Sequence, residues 1–557
     1  MKKQVFISHA GYPREGMKYV VVESEVPVEG VFRVVDTRGE VVYEGRFDPP
    51  VKVPGWRRGW FARGEFSEVR EPGEYAVCLE DGVRSEYFPI VEGFPSLFLE
   101  DIVFYFRGQR CSGVYDRKDR GVPLFGSDRK VDVHGGWYDA AGDFSKYLSH
   151  LAYTNFMCPQ HTGLVVWAFL HGHDLLKSRG FPEFSLARIR EEALYGADFL
   201  VRMQDPEGFF YLTVFDRWSH DPEEREVCSY ETQQGMKTAD YKAGLRMGAG
   251  AAIAALARAS LLGEASDYTP EVYLATAERG FAHLRAHNAE YLPDGTENII
   301  DEYCGLLAAV ELYRATGKVA YRKAAEEFFS RLEGRLTPEG VLMADERGQR
   351  SFFHAVEAGF PYVSVLRMRE VLDEGGLGAR AEEFVARGLS AEVERTHEVP
   401  NPFGYPRQYV KLPGREGRVQ FFIPHENESG YWWQGENARL ASLAAAAFWA
   451  AGEGIGDGEL WAYGEAPIYW ILGLNPFDVC MMQGKGRHSP AYERGFPNAP
   501  GGICNGITSG VEDEEDIAFL PEPYASDMAH RWRWAEQWIP HAAWFFLALS
   551  IYAHYRG

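Results

Sequence analysis

Gly248-Ala249-Gly250-Ala251-Ala252-Ile253-Ala254-Ala255-Leu256-Ala257 contains no polar residue, and nearly every side chain in it is small. A helix of this composition is apolar on every side, so it must be covered all round rather than on one face. Residues 377–396 read differently, with charge along one face, as expected of a helix with solvent behind it. Helical periodicity predicts about a dozen such segments: 97–108, 162–177, 186–204, 239–263, 270–287, 297–317, 319–333, 352–373, 377–396, 432–452, 458–472 and 528–555. No short fixed repeat points to a solenoid. Fully apolar helices inside and amphipathic ones outside close into an α/α toroid, whose loops at one end form a cleft.

Upstream the period changes from helical to alternating. Tyr19-Val20-Val21-Val22, Val31-Phe32-Arg33-Val34-Val35, Val41-Val42-Tyr43, Glu74-Tyr75-Ala76-Val77-Cys78-Leu79 and Glu86-Tyr87-Phe88-Pro89-Ile90 are short apolar runs separated by Gly, Pro and Asp. That spacing predicts a β-sandwich over 1–92, and Gly93-Phe94-Pro95 marks its end. The helical domain is expected over 93–557. Two long loop-rich segments interrupt it, 109–161 and 473–527, and loops of that length in a compact domain are usually functional.

Composition excludes several classes. The net charge is −23, and no basic tract exists to neutralise phosphates, so nucleic acid is not an expected partner. No apolar run is long enough to span a membrane. The opening Met1-Lys2-Lys3-Gln4-Val5-Phe6-Ile7-Ser8 reads as a strand rather than a signal peptide. The seven cysteines are scattered without a Cys-x-x-Cys pair, which suits free thiols in a reducing cytosol. A cytoplasmic location is therefore expected. No Asp-x-Asp-x-Asp-Gly loop is present, and Glu512-Asp513-Glu514-Glu515-Asp516 reads as a solvated run, so no metal or cofactor is expected.

The first long loop carries the chemistry. His134-Gly135-Gly136-Trp137-Tyr138-Asp139-Ala140-Ala141-Gly142-Asp143 sets two carboxylates four residues apart in a glycine-rich turn, beside two aromatics. Paired carboxylates of this kind suit water activation in glycosidic hydrolysis. Taken alone, Asp143 also reads as a helix cap. Near the C-terminus, Glu536 lies in Ala535-Glu536-Gln537-Trp538-Ile539-Pro540-His541, where a salt bridge to Arg531 or Arg533 is the plainer reading. Trp432 and Trp433 in His425-Glu426-Asn427-Glu428-Ser429-Gly430-Tyr431-Trp432-Trp433-Gln434-Gly435-Glu436-Asn437 offer broad faces for a sugar ring, with carboxylates nearby.

A β-sandwich followed by a helical toroid that opens on Gly-Gly-Trp-Tyr-Asp…Gly-Asp resembles glycoside hydrolase family 9. The family joins an Ig-like domain to an (α/α)6 barrel and inverts the anomeric centre. His9-Ala10-Gly11-Tyr12-Pro13 and Asn475-Pro476 also match its pattern. The resemblance implies Glu536 as general acid, Asp143 as the base that activates water, and Asp139 as its partner carboxylate. It implies substrate contacts from Trp137, Tyr138, Trp432, Trp433, Glu436, Arg487 and His488. The chain departs from the family's cellulases in three ways: Asp-Ala-Ala-Gly-Asp is one residue longer than their Asp-Ala-Gly-Asp, Arg487-His488 stands where they carry His-His-Arg, and no signal peptide is visible. These departures resemble an exo-β-D-glucosaminidase subgroup. The expected activity is accordingly inverting exo-cleavage of β-1,4 bonds in chitosan-type oligosaccharides. Alternatives are an endo-β-1,4-glucanase (cellulase), an exo-glucosidase on cello-oligosaccharides, and an inactive carbohydrate-binding protein. The expected partner is an oligosaccharide; the sequence leaves the oligomeric state open.

Overall fold

A computed structural model describes residues 3–232, 234–373, 375–430 and 435–557. The first eight strands are β1 (Lys3–Phe6), β2 (Tyr12–Pro13), β3 (Tyr19–Ser24), β4 (Val31–Asp36), β5 (Val41–Arg46), β6 (Trp60–Glu65), β7 (Gly73–Leu79) and β8 (Phe88–Val91). They form two sheets, in the orders β1-β3-β6 and β2-β8-β7-β4-β5. The pairs are antiparallel except β2 with β8, which run parallel. Val20 and Val22 of β3 and Phe32 and Val34 of β4 are fully buried between the sheets, while Phe61 of β6 points from the other face onto Phe403 of the helical domain.

The helices are α1 (Ser96–Gln109), α2 (Gly113–Asp119), α3 (Thr162–Ser178), α4 (Glu183–Arg202), α5 (Ala249–Ala259), α6 (Pro270–Tyr291), α7 (Ile299–Thr316), α8 (Val319–Glu333), α9 (Phe360–Val371), α10 (Leu377–His397), α11 (Glu436–Gly452), α12 (Glu459–Ile471), α13 (Met528–Ala535) and α14 (Ile539–Arg556). Helices α3, α5, α7, α9, α11 and α14 pack each on the next, and α14 returns to α3, so the inner ring closes. Helices α1, α4, α6, α8, α10 and α12 each cover one inner helix from outside, which makes an (α/α)6 barrel. Every residue of α5 is buried: the run of small apolar residues demands it, and the one charged residue, Arg258, is paired inside the barrel. On α10 the buried set includes Leu377, Ala381, Phe384, Val385 and Leu389, one face at helical spacing.

One buried carboxylate ties four inner helices together. Glu311 of α7 accepts hydrogen bonds from Trp167 of α3 (2.9 Å), Arg258 of α5 (2.9 Å) and Arg367 of α9 (2.7 Å). The guanidinium groups hold its carboxyl well below the usual range despite burial. Among the described residues, no helix is long and apolar enough to cross a membrane.

Three expected helices differ from the structure. The segment 239–263 is helical only from Ala249; Lys242–Ala243 instead pairs with Phe210–Tyr211. Left-handed Gly248 (φ +95°) makes the turn into α5, and a Cβ there would strike the Leu148 carbonyl at 2.3 Å. The segment 352–373 begins its helix at Phe360, where Pro361 sits in the first turn. The segment 528–555 is two helices, α13 and α14, parted at Glu536–Trp538. Pro540 explains that break. It has no N–H, and its ring excludes the carbonyl four residues back, that of Glu536. The freed Glu536 carbonyl accepts instead from the Asn505 N–H at 2.8 Å. The reading also missed α2 and a four-stranded sheet built from Lys146–Tyr147, Thr213–Phe215, Glu226–Glu231 and Met236–Thr238.

Candidate active site

The helix break places Glu536 in extended backbone (φ −72°, ψ 135°) at the end of α13. The Asp loop lies alongside it. Ala141 N–H donates to the Gln537 carbonyl (2.9 Å) and Ile539 N–H to the Asp139 carbonyl (3.0 Å). Two ends of the chain are thereby fixed to one another by backbone bonds, with little side-chain freedom to absorb an error. The loop turns through Gly142 (φ +89°), where a Cβ would lie 2.9 Å from the Phe496 ring.

Asp139, Asp143 and Glu536 line one cleft of about 400 Å³. Asp143 is almost fully buried, and its Oδ1 accepts from Ser145 N–H at 2.9 Å. Its Oδ2 accepts from Tyr147 Oη–H at 2.9 Å and from Trp218 Nε1–H at 3.1 Å. Asp139 is bonded through Oδ1 to His161 Nδ1. Glu536 is bonded to Trp538 Nε1–H through Oε2 and to Tyr492 Oη–H (3.4 Å) through Oε1. The expected salt bridge is not seen: Arg531 bonds the carbonyls of Ala525 and Ala491, at 2.6 Å each.

Burial and like charge act together on two of the acids. Burial, reinforced by the neighbouring Asp139 and Asp216 carboxylates, pushes Asp143 up to about 7. Burial first, with Asp143 and Asp139 adding to it, pushes Glu536 well above the usual carboxylate range, against the Trp538 hydrogen bond. Such arrangements keep one acid protonated near neutral pH while another can ionise.

Aromatic side chains complete the cleft: Trp218, Tyr492, Phe496, Trp532 and Trp538. Trp218 comes from a strained loop in which Arg217 (φ 61°), Trp218 (φ 57°) and His220 (φ 59°) all take left-handed backbone. The strain is held by Trp218 N–H on Asp216 Oδ1 (3.0 Å) and by His220 Nε2–H on the Gly142 carbonyl (2.7 Å). Sequence reasoning missed Trp218, Tyr492, Phe496 and Trp532. Trp538 carried a signal, two residues from Glu536.

The other expected contacts lie elsewhere. Trp137 is fully buried, donates Nε1–H to Glu192 (2.7 Å), and fills the space over Gly196, where a Cβ would lie 2.2 Å from its ring. Tyr138 hydrogen-bonds the Ser112 backbone (3.1 Å) and packs on Phe144, away from the cleft. Glu436 is buried at the start of α11 against Tyr405 and Arg439, the latter at 2.7 Å. Arg487 forms a fork on Asp478 (2.9 and 2.6 Å), which also bonds His9 of the β-sandwich (2.9 Å), so it braces the domain contact. His488 bonds the Asp478 carbonyl (2.8 Å) on the surface. Trp432 and Trp433 lie outside the described residues.

Residues 96–494 match Glycosyl hydrolase family 9, and residues 1–83 match the Cellulase N-terminal ig-like domain. The chain belongs to glycoside hydrolase family 9 and is an O-glycosyl hydrolase with an Ig-like domain ahead of its barrel. Glu536 lies beyond the matched stretch. Among solved structures, the chain is similar to a thermostable endoglucanase from Alicyclobacillus acidocaldarius, solved as a single mutant (19% identity, 99% of each chain, TM-score 0.69). It is similar to a metagenome-derived family 9 endoglucanase (18% identity, 99% of each chain, TM-score 0.69). It is also similar to a cellulase of C. cellulolyticum (16% identity, 83% of this chain and 99% of that one, TM-score 0.54). At these identities the likeness speaks for the fold alone. No curated protein matches the sequence.

Proposed function

We propose that the chain is an inverting endo-β-1,4-glucanase, with Glu536 as general acid, Asp143 as general base and Asp139 as the second carboxylate on the attacking water. The observation that carries this reading is the cleft itself: three acids among aromatic rings, with no fourth acid in its described lining. Trp218, Trp532 and Trp538 offer apolar faces to a glucose chain. An inverting mechanism needs acid and base on opposite sides of the sugar, roughly 6.5–9.5 Å apart. The sequence favoured a glucosamine unit through its resemblance to the exo-β-D-glucosaminidase subgroup, with Asp139 and acids of 426–436 to meet the amine. The acids of 426–436 have other partners. Glu426 pairs with Arg415 (2.6 Å), Glu428 with Arg350 (3.0 Å) and Glu436 with Arg439 (2.7 Å), and none of the three lines the cleft. The endoglucanases among the structurally similar proteins agree with the glucan reading. All seven cysteines are free, in keeping with a reducing compartment such as the cytoplasm.

The test is hydrolysis of cello- and chitosan-oligosaccharides side by side. Mixed shorter cello-oligomers, falling viscosity of a soluble β-glucan, and new reducing ends appearing first as the α-anomer are expected. Glucosamine as sole product would return the enzyme to the exo-glucosaminidase reading, and a first-formed β-anomer would remove inversion.

The pH profile follows from the two raised groups. The base must be ionised, so kcat/KM should fall with slope one as pH drops through about 7, where Asp143 takes up its proton. The acid must be protonated, so a second limb should fall on the alkaline side as Glu536 ionises. A profile flat from pH 5 to 8 would contradict this assignment.

A further inference from the structure

The Asp pair has a third neighbour that the hydrolytic mechanism does not use. His150 sits after the Lys146–Tyr147 strand and lines the same cleft. Its side chain is 8% exposed, its Nδ1 is buried without a partner, and its ring makes no hydrogen bond to any described residue. A buried imidazole without a partner has given up its bonds to water for nothing in return, so the position is one where a ligand is welcome. One donor atom each from Asp139, Asp143 and His150 all lie within 4.8 Å of one another.

We infer that Asp139, Asp143 and His150 form a binding site for one divalent transition-metal ion of the zinc class, which occupies the place of the attacking water. Zinc takes imidazole nitrogen at about 2.0–2.1 Å and carboxylate oxygen at about 2.0–2.2 Å, which sets tetrahedral donors about 3.4 Å apart. From within 4.8 Å of one another, the donors must close inward to reach that spacing. Three protein ligands leave the fourth position open toward the cleft, where a water completes the shell. The outer contacts suit the role as well. His161 fixes one oxygen of Asp139 and leaves the other free, while Ser145, Tyr147 and Trp218 fix Asp143. A two-oxygen, one-nitrogen set selects zinc-like ions over calcium or magnesium, which prefer six or more oxygens. The ion also cancels the repulsion between two carboxylates held close together. No bond in a substrate changes: the ion blocks the enzyme by holding the base and the water position at once. Binding rests on the geometry alone, whereas the resulting inhibition rests on the reading of Asp143 as base.

The experiment is calorimetric titration of the full chain with zinc chloride at pH 7.5, repeated with cobalt chloride while reading visible absorption. One site per chain is expected, with a visible cobalt band of a low-coordinate shell. His150→Ala and Asp139→Asn should each weaken zinc binding at least tenfold, and hydrolysis should fall in step with zinc occupancy in the native chain. Circular dichroism melts without metal show whether each variant is folded, and His150→Gln replaces His150→Ala should the latter not fold. Zinc affinity unchanged in these variants, as binding at the cysteines would give, overturns the proposal. So does absence of binding up to millimolar zinc. Stoichiometric zinc in the native chain that is lost in the variants but leaves hydrolysis unaffected upholds the site and overturns the assignment of the base.

Discussion

Asp143→Asn is expected to lower kcat/KM on cello-oligosaccharides by about 10³-fold or more, since general base catalysis contributes roughly 10²–10⁴. Asparagine keeps the shape and one acceptor oxygen, so the Ser145 N–H bond and the turn can survive. What it loses is the ability to take a proton from water. With the amide oxygen on Ser145 N–H, the NH2 faces Tyr147 and Trp218 and the Trp218 N–H bond is lost; flipped, the oxygen keeps both of those donors and the Ser145 bond is lost. Activated substrates should be no better cleaved, because a good leaving group still needs an attacking hydroxyl. The melting temperature should stay close to that of the native chain, because the change removes a buried charge next to Asp139 and Asp216. A kcat/KM within tenfold of the native value would remove Asp143 from the role of base.

The ring of helices was legible because residues such as those of α5 can be covered only from all sides. The three acids of the cleft were legible as candidates for a different reason: a glycine-rich turn with two acids and a lone Glu near Pro540 are features that survive in one dimension. The rest depends on which way side chains point. Trp137 stands two residues before Asp139 and reads as a sugar platform, yet its indole is turned into the hole left by Gly196 on α4. Arg487 reads as a substrate cation, yet its partner is Asp478, nine residues earlier, and the pair serves His9 of another domain. Glu436 did carry a warning, because Arg439 three residues on is a natural helical partner. Trp218 carried none. It reaches Asp143 only because a small sheet, three of whose strands lie between α4 and α5, folds over the cleft, and the small-residue run that opens α5 extends the helical pattern upstream across the separate Lys242–Ala243 strand.

Glu536→Gln separates the acid from the base by its dependence on the leaving group. With an unactivated glycosidic bond the departing alkoxide is a strong base and must be protonated as it leaves, so cleavage of cello-oligosaccharides should fall by about 10³-fold. A glycosyl fluoride or a nitrophenyl glycoside departs as a weak base, and its rate should fall only about tenfold. Glutamine can still accept from Trp538 Nε1–H through its amide oxygen and can offer its NH2 to the Tyr492 hydroxyl, so the side chain should remain in place. The alkaline limb of the pH profile should disappear as well, because the group that ionised there is gone, while the acidic limb near 7 stays with Asp143. The two variants therefore make opposite statements. Removing the base costs every substrate alike, whereas removing the acid costs substrates in proportion to the basicity of what leaves. Equal losses on fluoride and oligosaccharide would mean that Glu536 positions the sugar rather than protonating the bond.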